Sequence, residues 1–159
     1  MAGYIQFDGV KGESLDKDHK DWSDIESFNQ VIHKPGTGTG VARRRGDVIL
    51  DDILIVKALD KSSPKLAESV CKGKVFPKVL IHVTRSYEDA GRVTYYAYEL
   101  KNVQVVSYSV GGATQAQQQP LEEVSLNFEE IKVTYTEADS GGKKKGNIEY
   151  SWKVEEGKA

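Results

Sequence analysis

Three histidines, one cysteine and a few hydroxyl and carboxylate clusters are the residues that could carry chemistry here, and their spacing limits what each can do. His19, His33 and His82 share no ligand spacing such as His-Glu-x-x-His, and Cys71 has no Cys-x-x-Cys partner. Neither a structural nor a catalytic zinc site is therefore expected. Ser107-Tyr108-Ser109-Val110-Gly111 approaches the nucleophile elbow of a hydrolase, but serine replaces the first glycine and no strand-to-helix turn follows. Glu122-Glu123 and Glu129-Glu130 supply neighbouring carboxylates. Successive strand residues point to opposite faces, so neither pair can act as a glycosidase dyad, and both read as solvated charges or interface contacts. No catalytic, cofactor-binding or metal-binding residue is assigned.

Residues 34–47 read K-P-G-T-G-T-G-V-A-R-R-R-G-D, a long Gly/Thr/Arg loop. A phosphate cradle needs Lys-Ser/Thr after its last glycine, and Val41-Ala42 stands there instead. Arg45-Gly46-Asp47 matches an adhesion tripeptide, which three residues alone do not establish. The loop is either solvated or touches a partner, and Arg43, Arg44, Arg45 and Asp47 are its candidate contact residues. Arg43 to Arg45 and Lys143 to Lys145 lack the interleaved aromatics of single-strand binders. With 22 basic against 24 acidic residues the net charge is -2, which argues against nucleic acid or an anionic membrane as the main partner.

The elements that must position these groups are mostly strands. Residues 94–110 are rich in β-branched and aromatic residues and predict a long strand; Gly111-Gly112, a Gln-rich tract and Pro120 form a long connection, and strand character resumes at Leu121. On the return run Val124, Leu126 and Phe128 share one parity and Ile131, Val133 and Tyr135 the other, so a β-bulge is expected near Glu129-Glu130. Residues 4–7 predict a short strand ended by Asp8-Gly9. Residues 13–21 predict a charged surface segment carrying His19, and residues 25–32 a possible strand without clean alternation.

Residues 48–59 are apolar on both parities, as in a central strand. A helix over 63–72 follows, with Ser63 as N-cap, Pro64 at N1 and Gly73 at C′. Its expected apolar stripe is Leu66, Ala67, Val70 and Cys71, which makes Cys71 a small buried group. Residues 74–84 predict a strand with Val79, Ile81 and Val83 on one face and His82 on the other. The last strand alternates Ile148, Tyr150, Trp152 and Val154 against polar residues, so one of its faces is expected to be buried. The expected fold is mainly β: an antiparallel barrel or sandwich of about seven to nine strands with one short flanking helix.

At 159 residues the chain is expected to be one domain, 1–159, and a domain near that size buries roughly 70% of its unfolded surface. A lone cysteine excludes an intramolecular disulfide and points to folding in a reducing compartment. The start, Met1 to Asp8, has neither a basic region nor an apolar stretch of signal-peptide length, so export is expected to need a dedicated machine.

Four blocks carry a family resemblance: residues 7–20 (FDGVKGESLDKDHK), 59–66 (LDKSSPKL), 98–112 (YELKNVQVVSYSVGG) and 122–135 (EEVSLNFEEIKVTY). In that order they resemble the haemolysin-coregulated protein family, Hcp, the tube subunit of type VI secretion. The likeness spans almost the whole chain and departs in the Arg-rich and Gln-rich loops. It implies a β-barrel with one flanking helix, closing as a homohexamer whose rings stack into a secreted tube inside a contractile sheath. It also implies a spike at the tip, small effector proteins in the lumen, no enzyme activity, no cofactor and no membrane insertion. The path implied is from bacterial cytoplasm to the outside without a signal peptide. A monomeric β-barrel ligand binder and a hydrolase using Ser109 or a carboxylate are the alternatives, and assembly size discriminates them.

Overall fold

The computed structural model describes residues 1–35, 48–115 and 117–154. Among them the chain forms β1 (Ala2–Phe7), β2 (Ser23–Ile25), β3 (Ser27–Asn29), β4 (Ile32–His33), β5 (Ile49–Leu50) and β6 (Ile53–Ala58). Then come α1 (Ser63–Lys72), β7 (Val75–Tyr87), β8 (Gly91–Gly111), β9 (Leu121–Asn127), β10 (Glu130–Ala138) and β11 (Lys144–Lys153). Mainly β, antiparallel and with one helix, the architecture matches the expected class; the strand count rises because short strands split off.

β8 is long enough to serve two neighbourhoods. Its first half lies between β7 and β10, with Val79 and Ile131 both opposite Leu100, and its second half pairs with β9, Tyr108 opposite Val124. It must bend to do so. Asn102 takes the left-handed region at φ 52, which asparagine tolerates better than a β-branched residue, and the ladder to β9 slips between Val105 and Ser107. The return run is consequently not one bulged strand. It breaks at Phe128 and Glu129 into β9 and β10, which pair with different halves of β8. The parity shift read in the sequence is this break.

The sheet runs β2-β1-β7-β8-β9-β6-β3, with β10 and β11 branching from β8. Its two ends, β2 and β3, are consecutive in the chain, separated by Glu26, whose N–H bonds the carbonyl of Val56 at 2.7 Å. Residues 23–29 thus form a seam across a barrel that the ladder alone leaves open. Inside lie Ile5 and Phe7, Ile53 and Ile55, Val79 and Ile81, Leu100 and Val103, Val124 and Leu126, and Ile131 and Val133. This is period-2 alternation read out as burial.

Helix α1 packs on β8 through a stripe that differs from the expected one. Ser63, Leu66 and Ser69 are buried and Ala67 and Val70 half-buried, while Cys71 is exposed; the buried face lies toward the 63/66/69/70 edge. The N-cap position is Ser62, without a side-chain cap, because the hydroxyls of Ser62 and Ser63 bond other groups. At the other end Gly73 sits at φ 63, and Lys74 N–H reaches the Ser69 carbonyl at 3.0 Å, closing a Schellman turn. Leu66 is fully buried in the main core. Leu66→Ala is expected to cost about 2–5 kcal/mol in urea unfolding, and a cost below about 0.5 kcal/mol would show that the helix does not anchor there.

Residues 48–59 are two strands interrupted at Asp51-Asp52, and the inward parity of β6 is Ile53, Ile55 and, unexpectedly, Lys57. The last strand also departs from expectation. Trp152 is half-buried, but Ile148 is 76% exposed and Tyr150 44% exposed. Pro77, which cannot donate to a ladder, lies in β7 beyond Val79, the partner of Phe7, where β1 no longer pairs with β7.

Candidate functional site

Ser109 lies inside β8 opposite Glu123, both exposed, in continuous strand rather than at a turn into a helix. Glu129 accepts a hydrogen bond from the Asn102 amide at 2.8 Å, and Glu130 lies 3.8 Å from Lys101. These are surface contacts, as read. Lys143 ends the turn after β10 and Lys144 and Lys145 open β11; all three are exposed. Arg43, Arg44, Arg45 and Asp47 lie outside the described residues. What is described is the stem of their loop: β4 and β5 pair Ile32 with Leu50 and His33 with Ile49, and Val31, Ile32 and Ile49 are all exposed.

Glu122 overturns the solvated reading of its pair. It is fully buried, and so is Lys57, because β6 and β9 are neighbours and Lys57 falls directly opposite Glu122. The Lys57 ammonium contacts Glu122 Oε1, Asp60 Oδ1 at 3.0 Å and the Ala58 carbonyl at 3.1 Å, so all three of its donors are used. Glu122 in turn accepts from Ser63 Oγ at 3.1 Å and from the Tyr108 hydroxyl. Burial and that bond to Glu122 push the Tyr108 hydroxyl up to about 12. Burial would raise the Asp60 carboxyl, but bonds from Ser62, Ser23 and Lys57 more than offset it and hold it below the usual range. Such pairing is what allows two charges inside a core. The network ties β6, β8, β9 and the entry of α1 together at one end of the barrel.

A second cluster occupies the outer face of the sheet. His19, expected on a charged surface, is 4% exposed. Its ring stacks on Tyr4 at 4.3 Å and meets Trp22 edge-on at 4.8 Å. Its Nδ1 lies 2.6 Å from Asp16 Oδ2 and its Nε2 3.0 Å from His82 Nδ1. Arg92 donates to Asp16 Oδ1 at 3.0 Å and to the Tyr4 hydroxyl. Two histidines that share no motif spacing are thus neighbours, joined by a single hydrogen bond.

The third feature is apolar. Across β8, β10 and β11 the register aligns Leu100, Ile131 and Trp152, then Tyr98, Val133 and Tyr150, then Tyr96, Tyr135 and Ile148. The first row belongs to the core. The last is open, with Tyr135 45% exposed beside Ile148. Among the described residues β11 pairs with β10 alone, which leaves its other edge without a partner strand there.

A model of the family described as "Type VI secretion system effector, Hcp" matches residues 4–135. The chain belongs to the Hcp family. The protein hcp1 of Pseudomonas aeruginosa is 30% identical to this Hcp chain over 153 residues, covering 95% of the chain and 93% of that protein. Among solved structures, one described as a type six secretion system protein superposes with a TM-score of 0.88 at 26% identity, covering 99% of this chain and 98% of that one. Hcp1 from Salmonella typhimurium shares the fold, with a TM-score of 0.79 at 22% identity over 99% and 97% of the two chains. Hcp membership supports the role of a type VI secretion tube subunit.

The Hcp match runs from Tyr4 in β1 to Tyr135 in β10 and so contains the Lys57–Glu122 network and the His19–His82 pair, while β11 lies beyond it. Sequence reasoning missed both clusters. For the ion pair a signal existed: Lys57 shares parity with Ile53 and Ile55, and Glu122 with Val124 and Leu126, so opposite charges sat on the inward parity of two strands. For the histidines, 63 residues apart, none existed.

Proposed function

We propose that this Hcp chain closes into a six-membered ring, that rings stack into a tube expelled by type VI secretion, and that the tube carries small effector proteins in its lumen. Sheath and spike are its further partners, its export uses no signal peptide, and no side chain acts as a catalyst. One observation carries the reading: the apolar rows of β8, β10 and β11 run without interruption from the core to the surface, ending on Tyr135, Ile148 and Tyr150 at an unpaired strand edge. A neighbouring copy covering that face would bury both the side chains and the edge, and a closed ring leaves no edge to template aggregation. A monomeric barrel gains nothing from leaving this face open.

Stacking is assigned to the loop that β4 and β5 support. Arg43, Arg44 and Arg45 face acidic groups of the next ring on this proposal, each exposed pair contributing up to about 1 kcal/mol, repeated sixfold. Light scattering should give the mass of six chains for the parent protein and for the variant with all three arginines replaced by glutamate. Electron microscopy should then show tubes for the parent and isolated rings for the variant. A monomeric parent defeats the ring; normal tubes from the variant defeat the stacking role of the arginines.

A further inference from the structure

We propose that Asp16, His19 and His82 form a proton-operated latch that holds residues 12–22 on the outer face of the sheet, closed with one added proton and released by a second. The segment is largely hydrogen-bonded to itself. Gly12 N–H donates to the Asp21 carbonyl at 2.7 Å, Ser14 N–H to Trp22 at 2.8 Å and Trp22 N–H to His19 at 3.1 Å, so its two arms close on each other. Its ties to the sheet run through side chains: His19 to His82 on β7, Asp16 to Arg92 on β8, and the His19 ring on Tyr4 of β1. A further bond, from Lys61 N–H to Glu13 at 2.9 Å, reaches the residues before α1. A unit held this way can leave the sheet without unfolding it.

The geometry of the two rings fixes what the contact is. Their nitrogens are 3.0 Å apart and their centroids 5.2 Å apart, a difference of about the two ring radii. The nitrogens therefore point at one another along a common line, which suits one shared hydrogen and not a cation bound to the side of both. The Asp16 carboxylate only accepts, so His19 Nδ1 carries a hydrogen toward it. In the neutral pair His82 Nδ1–H donates to His19 Nε2. A first added proton leaves every bond in place: His19 becomes the imidazolium, donating from both nitrogens, and His82 accepts at Nδ1 with its own hydrogen on Nε2. A second proton must sit on His82 Nδ1, and then two N–H groups on two cations face each other.

The surroundings do not relieve that conflict. Asp16 is already matched by Arg92, which also bonds the Tyr4 hydroxyl; Asp24 on β2 lies opposite Tyr4; and Trp22 packs against both imidazoles, 4.6 Å from His82. Burial first, and then the charge of His19, bring His82 from its ordinary 6.5 down to about 4. The sign follows: the released state binds this proton at higher pH than the closed state does, so closure weakens as pH falls from 6.5 toward 4, about tenfold per unit. Release uncovers Tyr4 and Trp22.

Hydrogen exchange of the assembled protein, corrected for the intrinsic pH dependence of exchange, tests the latch. Protection of residues 12–22 should fall about tenfold per pH unit in that window, while β7 and β8 keep theirs. His82→Gln retains a donor toward His19 but cannot titrate, and it should flatten the dependence. Loop protection that is constant from pH 7.5 to 4, or an unchanged dependence in His82→Gln, overturns the proposal. Imidazole nitrogen spectra of the parent protein add a test that needs no variant. Two separate proton uptakes, with loop signals moving only at the second, support the latch; a single joint titration of His19 and His82 refutes it.

Discussion

Glu122→Ala is expected to destabilise the chain by about 3–5 kcal/mol, because it strands the Lys57 ammonium in a fully buried site. The lost pair energy is the smaller part of this. Lys57 would keep Asp60 at 3.0 Å, but Tyr108 and Ser63 would lose their acceptor, and an unpaired polar group in a core adds its own desolvation penalty. The companion experiment separates pair from packing. Lys57→Met combined with Glu122→Leu replaces both charges by apolar groups of similar length, and should recover most of the loss. Urea unfolding of the two variants checks this. A cost below about 1 kcal/mol for Glu122→Ala would mean that the site relaxes and admits water.

Why the sequence hid this network while disclosing the sheet is a matter of range. Val79, Ile81 and Val83 alternate within one strand, so local reading finds their face, and the parity change between Phe128 and Ile131 likewise located the break between β9 and β10. Lys57 and Glu122 are buried only because β6 and β9 become neighbours, a pairing across more than sixty residues. The same holds for His19 and His82. Cys71 failed for a different reason: on a ten-residue helix the stripe can rotate by one position, and the hydroxyls of Ser63 and Ser69 are satisfied inside by Glu122 and the Leu66 carbonyl. On β11 the alternation of Ile148, Tyr150 and Trp152 was legible, but periodicity reports that a face is apolar and not what covers it.

That face is the subject of the second large effect. Ile148→Glu should convert the proposed six-chain particle into single chains, with the sheet of each chain intact. In the isolated chain Ile148 is 76% exposed, so a glutamate there meets water and should change the stability of a lone chain by no more than about 0.5 kcal/mol. At a subunit contact the substitution removes an apolar group whose full burial contributes about 1.5–3 kcal/mol, and forces a charge out of water as well. Every contact in a ring carries the same change. Sedimentation should report the mass and circular dichroism the retained strands. An intact ring would move the interface away from β11, whereas loss of the strands would show that the hairpin stabilises its own barrel.

The seam formed by residues 23–29 has a consequence for how the chain acquires its shape during synthesis. β7, β8, β9, β10 and β11 pair with strands close in sequence, whereas β1 must wait for β7, and β6 for β9. β1 and β6 have near partners in β2 and β3, but their other edges wait for β7 and β9, so these two short pairs add late to the flanks of a sheet that the later part of the chain builds. Until Leu121–Asn127 has emerged, Ile53–Ala58 lacks the strand opposite Lys57, and that ammonium stays in water. Long-range pairing of this kind slows closure and leaves unpaired strands at risk of association, so slow elongation should favour this barrel less than a barrel closed from its N-terminus.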